Sequence, residues 1–71
     1  MKVQWIEVWI DEPSGGGYLL VVWGFIDGHV EIVDPQKGGE RVAVFDDYEQ
    51  ATHWLNEEEY DLVEGRWTPG R

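Results

Sequence analysis

The side chains with the greatest capacity for chemistry lie close together near the carboxyl end of the sequence. Between residues 49 and 61 there are one imidazole and five carboxylates, those of His53, Glu49, Glu57, Glu58, Glu59 and Asp61. Such groups serve as metal ligands and as acid–base catalysts. Their spacing matches neither an EF-hand calcium loop nor the His-Glu-x-x-His zinc motif. We therefore predict a solvated helix end, with a weak divalent-cation site as the alternative.

Nucleophilic catalysis finds little support in the sequence. The hydroxyl-bearing serines and threonines are Ser14, Thr52 and Thr68. Ser14 lies in a glycine-rich stretch that has no neighbouring histidine and lacks the pattern of a phosphate-binding loop. Paired carboxylates are plentiful, but a small sheet rarely encloses a pocket that would shift their pKa values. We predict that the chain is not an enzyme and uses no cofactor or metal.

Net charge limits the classes of partner. Fifteen acids against five bases give a formal charge of −10, which disfavours binding to nucleic acid and to anionic membranes. No stretch approaches the ~20 apolar residues of a membrane span, and the first residues do not resemble a signal peptide. The sequence has no cysteine and so no disulfide, which is compatible with a reducing compartment. We expect a cytoplasmic protein with one domain, residues 1–71.

Apolar periodicity predicts an α+β fold with the element order β-β-β-β-α-β. The stretches 3–10 and 18–26 have strand character, and a third strand follows the Asp27-Gly28 turn. Residues 41–45 form a fourth strand after the turn that begins at Asp34. These strands are expected to form a four-stranded antiparallel meander, with one helix packed on one face. A fifth, C-terminal strand at residues 60–67 is placed beside the first, in the order 5-1-2-3-4. A crossover beside the fourth strand is the alternative.

The helix is delimited by its polar residues. Asp46 or Asp47 is expected to cap its amino end. Three consecutive glutamates at the negative end of a helix dipole would be unfavourable. The helix is therefore predicted to end near Leu55 or Asn56, with Asn56 in the left-handed conformation that terminates helices.

Register decides which face of the sheet the helix covers. Asp27-Gly28 between apolar runs is typical of a two-residue type I′ hairpin, which would pair Ile26 with His29. Six apolar side chains would then share the face that we predict to be the core: Leu19, Val21, Trp23, Phe25, Val30 and Ile32.

The opposite face is expected to be open and to carry a candidate binding surface. Its members are Trp5, Trp9, Leu20 and Val22. Contiguous exposed apolar residues usually mark an interface, and tryptophan is enriched at binding hot spots. An aromatic ladder that only stabilises the sheet explains the same residues equally well, and a sugar-stacking platform is a third interpretation.

Two functions follow as hypotheses. The first is a non-catalytic protein-binding module that self-associates through the open, aromatic-rich face. The second is an acidic inhibitor or nucleic-acid mimic that binds a basic protein surface. Its candidate acidic surface consists of Asp46, Asp47, Glu57, Glu58, Glu59 and Asp61. Solubility alone would also explain these acids.

Overall fold

The fold is an open five-stranded sheet with one helix on one of its faces. The computed structural model describes residues 2–11, 17–63 and 65–68, so residues 12–16, which include Ser14 of the predicted glycine-rich stretch, and residues 69–71 lie outside the described residues. The described elements are β1 (Val3–Ile10), β2 (Leu19–Phe25), β3 (Val30–Asp34), a 3₁₀ turn (Pro35–Lys37), β4 (Glu40–Phe45), α1 (Tyr48–Glu57) and β5 (Asp61–Leu62).

All neighbouring strands are antiparallel, in the spatial order β4-β3-β2-β1-β5. The predicted α+β class and element order are thus confirmed, as is the position of the fifth strand beside the first. Within the described part of the chain, no helix is long and apolar enough to cross a membrane.

The core lies between the helix and the face of the sheet that it covers. Ala51 and Leu55 are the fully buried side chains of α1, and they lie on the same side of the helix because they are four residues apart. They join a cluster of buried strand residues, namely Trp9, Leu20, Val22, Val30 and Ile32. We call the side of the sheet that carries these strand residues the covered face.

The β2–β3 hairpin has a longer loop than predicted. Gly24, not Phe25, is paired with Val30. The amide of Gly28 donates to the carbonyl of Phe25 at 2.9 Å, the amide of Phe25 donates to the carbonyl of His29 at 3.0 Å, and Gly28 has φ = 97°. These bonds indicate a three-residue loop with a glycine in the bulge position.

A type I′ turn would require positive φ at Asp27 as well, and Glu59 is the sole non-glycine residue with positive φ among those described. The predicted pairing of Ile26 with His29 is therefore wrong. The extra loop residue shifts β2 against β3 by one position, which exchanges the two faces of β2 relative to β3. Val30 and Ile32 are therefore in the core as predicted, whereas Leu19, Val21, Trp23 and Phe25 of the predicted core lie on the other face.

The carboxyl end of α1 also differs from the prediction. The helix continues to Glu57, and Glu59, not Asn56, has the left-handed conformation with φ = 65°. The amide of Tyr60 donates to the carbonyl of Leu55 at 2.9 Å, and that of Glu59 donates to Asn56 at 3.0 Å. This pair of bonds is the Schellman arrangement, which satisfies carbonyls at the helix end.

The amino end of α1 follows one of the two predicted options. The carboxylate of Asp47 accepts a hydrogen bond from the amide of Gln50 at 2.9 Å and caps the helix. A side-chain acceptor here satisfies one of the amides that the first turn leaves without a partner.

The chain after the helix follows the outer edge of β1. Strand β5 is shorter than the predicted stretch 60–67, and its Leu62 lies opposite Trp9. Farther along, Ile6 and Trp67 exchange two backbone hydrogen bonds of 2.7 and 2.8 Å. The C-terminal segment therefore stays attached to β1 beyond the two residues assigned as strand.

Candidate functional surfaces

The candidate binding surface predicted from the sequence lies inside the protein. Trp9 is 5% exposed, Leu20 is 3% exposed and Val22 is fully buried, all three in contact with the core below the helix. Trp5 is partly buried and packs against the same cluster. The prediction that these four residues face away from the helix is wrong, because it followed from the shifted hairpin register.

Trp5 explains why β2 contains a glycine. A Cβ atom on Gly24 would lie 2.0 Å from Cε2 of the Trp5 indole, so the ring lies directly against the backbone of β2. Gly24 is the β2 partner of Trp5 across the strand pair. The covered face thus has room for the large ring of Trp5, because the neighbouring Gly24 has no side chain.

The covered face also contains a buried carboxylate. Glu7 lies between the two tryptophans of β1 and is 3% exposed. It accepts hydrogen bonds from Trp9 Nε1 at 3.0 Å, from the Tyr48 hydroxyl at 2.9 Å and from Arg66 Nε at 2.8 Å. A buried charge of this kind is tolerated when it is paired and hydrogen-bonded. Glu7 therefore joins β1, α1 and the C-terminal segment.

Arg66 and Tyr48 complete this network. The Arg66 guanidinium carbon lies 3.9 Å from the ring centroid of Trp5 and 4.9 Å from that of Tyr48, within the range of cation–π attraction. Burial, together with the hydrogen bond to Glu7, raises the pKa of the Tyr48 hydroxyl above its usual value. The arrangement holds β1, α1 and the C-terminal segment together. Strand alternation, which we used to assign residues to faces, could not predict this network, because it gives no information on contacts between distant segments.

A second buried carboxylate closes the β3–β4 turn. Asp34 accepts from the Tyr18 hydroxyl, from the Gln36 amide at 2.9 Å and from Gln36 Nε2 at 2.8 Å. Burial raises the pKa of Asp34, but the hydrogen bonds from Tyr18 and Gln36 outweigh this effect, so its pKa lies below the usual value. The side chain caps the 3₁₀ turn, which is a structural role.

The uncovered side of the sheet, which we call the open face, is apolar on β1 and β2, whereas on β3 and β4 it also carries Glu31 and Arg41. The register of the strands assigns to it Ile6, Val8, Ile10, Leu19, Val21, Trp23, Val33 and Val44. Most of these side chains are half-buried, and Val44 is 51% exposed. Trp67, paired with Ile6, adds an indole that is 58% exposed at the β1 edge.

His29 forms a polar cluster at the hairpin end of the open face. Its Nδ1 lies 2.5 Å from Oδ1 of Asp27, and its Nε2 lies 3.0 Å from Oε2 of Glu31. The ring stacks on Phe25 with centroids 4.4 Å apart, and Arg41 reaches the same Glu31 oxygen at 3.4 Å. The hydrogen bond to Glu31, followed by the one to Asp27, raises the pKa of His29.

The predicted acidic surface is divided between the two ends of the helix. All six of its residues are exposed: Asp46, Asp47, Glu57, Glu58, Glu59 and Asp61. The two aspartates precede α1, whose tenth and last residue is Glu57, so the two groups of acids are roughly 15 Å apart along the helix axis. The role of these acids as an inhibitor or mimic surface stays a prediction.

His53 is exposed on the helix, as predicted. No ion pair with Glu49 is found in the described part of the chain. Likewise, no group of three or more His, Asp or Glu side chains that could hold a metal ion comes together among residues 2–11, 17–63 and 65–68.

A shallow groove runs beside the helix at the β4 side of the sheet. It has a volume of about 470 Å³, and we call it the helix groove. Its lining residues are Phe45, Glu49, Gln50, His53, Trp54 and Glu57. The sequence prediction did not single out Phe45 or Trp54 for this role, because the groove forms only where the helix passes β4.

No protein-family model matches the sequence, and neither a curated protein nor a solved structure matches it significantly.

Proposed function

We propose that this chain is a non-catalytic, cytoplasmic protein-binding module that associates with a second copy of itself through the open face. The observation that carries the proposal is the continuous apolar surface on the side of the sheet that the helix leaves uncovered. Contiguous apolar patches of this kind mark interaction sites. The cysteine-free sequence permits a reducing compartment.

The size of the open face supports a weak, reversible dimer. The two strands β1 and β2, about 4.8 Å apart and each with an apolar run of five residues, give roughly 160 Å² in projection. This value lies below the roughly 300–600 Å² of the largest apolar patches on monomers. Two such faces bury less than the roughly 1,200 Å² of a standard stable interface. We therefore expect dissociation constants in the micromolar range.

The distribution of charge is compatible with a symmetric pair. Across β1 to β4, Glu31 is the acid that the register assigns to the open face, and it is balanced by His29 and Arg41. The β5 edge of the same face carries the exposed Asp61, the register partner of Ile10, so two copies can meet over the apolar centre with their β5 edges apart. A two-fold interface uses the same patch on both subunits, and this patch is apolar at its centre.

Sedimentation equilibrium across the expected range of dissociation constants tests this proposal. Val44→Lys, at a position 51% exposed on the open face, should shift the equilibrium to monomer. The matched control is Leu62→Lys, because Leu62 is 44% exposed and lies opposite Trp9 of the covered face. This control should dimerise like the wild type.

Salt gives an independent readout. Each copy has a net charge of −10, so association should strengthen as salt screens the repulsion between copies. A wild type that stays monomeric at high micromolar concentration and high salt would rule out self-association. Equal effects of Val44→Lys and Leu62→Lys would exclude the open face as the interface.

A further inference from the structure

The helix groove is separate from the open face and lies on the other side of the sheet. Phe45 belongs to the core-side row of β4, since its β3 partner is the buried Val30. Trp54 is half-buried on α1, and the two ring centroids are 6.1 Å apart with a tilt of 47°. The groove therefore has an aromatic floor, parts of which stay accessible to solvent.

Carboxylates stand along the helix side of this floor. Glu49 and Glu57 are both exposed and both line the groove. They are eight residues apart on α1, or roughly 12 Å along the helix axis. Neither has a basic partner within salt-bridge distance in the described part of the chain, and the sequence contains no lysine or arginine between Asp46 and Glu64.

This combination favours a cationic group over other ligands. Aromatic faces attract ammonium and guanidinium groups, most strongly at tryptophan. Flanking carboxylates add charge-assisted hydrogen bonds, which are stronger than those between neutral groups. An anionic ligand would be repelled by the two glutamates, and a purely apolar ligand would remove their hydration without offering a partner.

The neighbouring strand suggests how such a cation is presented. Strand β4 is the last strand on its side of the sheet, and no described strand pairs with its outer edge. An edge strand offers unpaired backbone donors and acceptors to another extended chain. Alternate side chains of an added strand would point to the helix side of the sheet, where the groove lies.

We propose that the helix groove binds a lysine or arginine side chain from an extended basic segment of another protein, with the segment paired along the outer edge of β4. The cation lies over Trp54 and Phe45 and between Glu49 and Glu57. This site goes beyond self-association, because it uses a different surface and a partner of opposite charge.

NMR titration of the ¹⁵N-labelled full chain tests the site. The probes are a short peptide of alternating arginine and valine, blocked at both ends, and free arginine amide. The peptide should shift the Trp54 indole signal and the amides of His53 and Phe45, together with the β4 amides that face the edge. Free arginine amide should shift the groove signals alone and bind more weakly, because it cannot pair with the strand.

Charge-matched variants separate the groove from the general acidity of the protein. Glu49→Gln/Glu57→Gln should weaken peptide binding by about tenfold, as expected for the loss of two exposed charge pairs. The control Glu59→Gln/Asp61→Asn removes the same charge from exposed positions outside the groove. It should leave affinity within about twofold.

The outcomes are distinct. Equal weakening by both double variants, or shifts scattered over all acidic regions, would overturn the site. Free arginine amide that binds as tightly as the peptide would overturn the role of the β4 edge. Unlike self-association, binding of the peptide should weaken as salt rises, so the failure of one proposal is distinguishable from the failure of the other.

Discussion

The two faces of the sheet are built from the same strands but differ in composition. Over residues 6–10 of β1 and 19–23 of β2, the open face carries only uncharged, apolar side chains, among them Ile6, Val8 and Trp23. The covered face of the same strands carries two tryptophans, the acid Glu7 and the side-chain-free Gly24. The helix thus packs on the face that is less uniformly hydrophobic.

Uniform hydrophobicity therefore does not select the buried face. The covered face offers partners that the helix needs, because Tyr48 of α1 donates to Glu7 and packs edge-on against Trp5, with ring centroids 5.2 Å apart. It also has room for a large ring above Gly24. Complementary shape and satisfied polar groups therefore outweigh the purity of the apolar pattern.

The largest expected effect comes from removing the buried carboxylate of the covered face. Glu7→Ala leaves Trp9 Nε1, the Tyr48 hydroxyl and Arg66 without their acceptor. We expect the free energy of unfolding to fall by about 3 kcal/mol, since breaking a buried, hydrogen-bonded charge pair is costly. Urea unfolding measures the loss.

The control for this change is Glu31→Ala on the open face, whose carboxylate contacts His29 and Arg41 near solvent. Glu31→Ala should lower the free energy of unfolding by clearly less than Glu7→Ala does. If both variants lose the same stability, the Glu7 network does not hold the covered face together.

Two neighbouring valines of β2 test the hairpin register directly. Val22 is fully buried on the covered face, whereas Val21 is half-buried on the open face. Val22→Ala should cost about 2–3 kcal/mol, because it removes buried methyl groups and leaves a cavity. Val21→Ala should cost less than about 1 kcal/mol in the monomer. If urea midpoints show that Val21→Ala destabilises the protein more than Val22→Ala, the result would support the two-residue turn.

A smaller gain is expected at the end of the helix that covers the sheet. Glu59 holds φ = 65°, a conformation in which glycine avoids the steric cost of a side chain. Glu59→Gly should raise the free energy of unfolding by about 0.5–1 kcal/mol. Glu58 has φ = −88°, so the control Glu58→Gly should destabilise. Thermal unfolding of the pair gives the comparison, and a loss of stability in both would contradict the Schellman arrangement.

The smallest effect concerns His29 at the rim of the open face. The carboxylates of Glu31 and Asp27 raise its pKa in the folded protein. The stabilisation is therefore fully present below the unfolded value of about 6.5 and is lost as pH rises through the folded pKa. Urea midpoints measured against pH for wild type and His29→Gln should converge above that folded pKa. If the wild type remains more stable than His29→Gln by the same amount at high pH, the contacts of His29 with Glu31 and Asp27 do not stabilise the fold through the imidazolium charge.

The sequence alone predicts the type and order of the elements, although α1 ends later and β5 is shorter than predicted. Strand alternation, the turn at Asp34 and the change of period after Phe45 predicted the elements and their order. The type and order of the elements are local features, so the pattern of side chains along the chain is sufficient to predict them. The position of β5 needed the structure, because the sequence also allowed a crossover beside β4.

Only the tertiary structure decided which side of the sheet is buried, and with it which residues can bind a partner. The choice depends on one loop residue at Asp27-Gly28, where two- and three-residue turns are both compatible with the sequence. Because side chains alternate with a period of two, that single residue exchanges the faces of β2 relative to β3. The contacts that accompany the observed register join Glu7 to Tyr48 and Arg66, 41 and 59 positions away along the chain. Local periodicity cannot contain such pairings, because they exist only after the helix and the C-terminal segment have packed against the sheet.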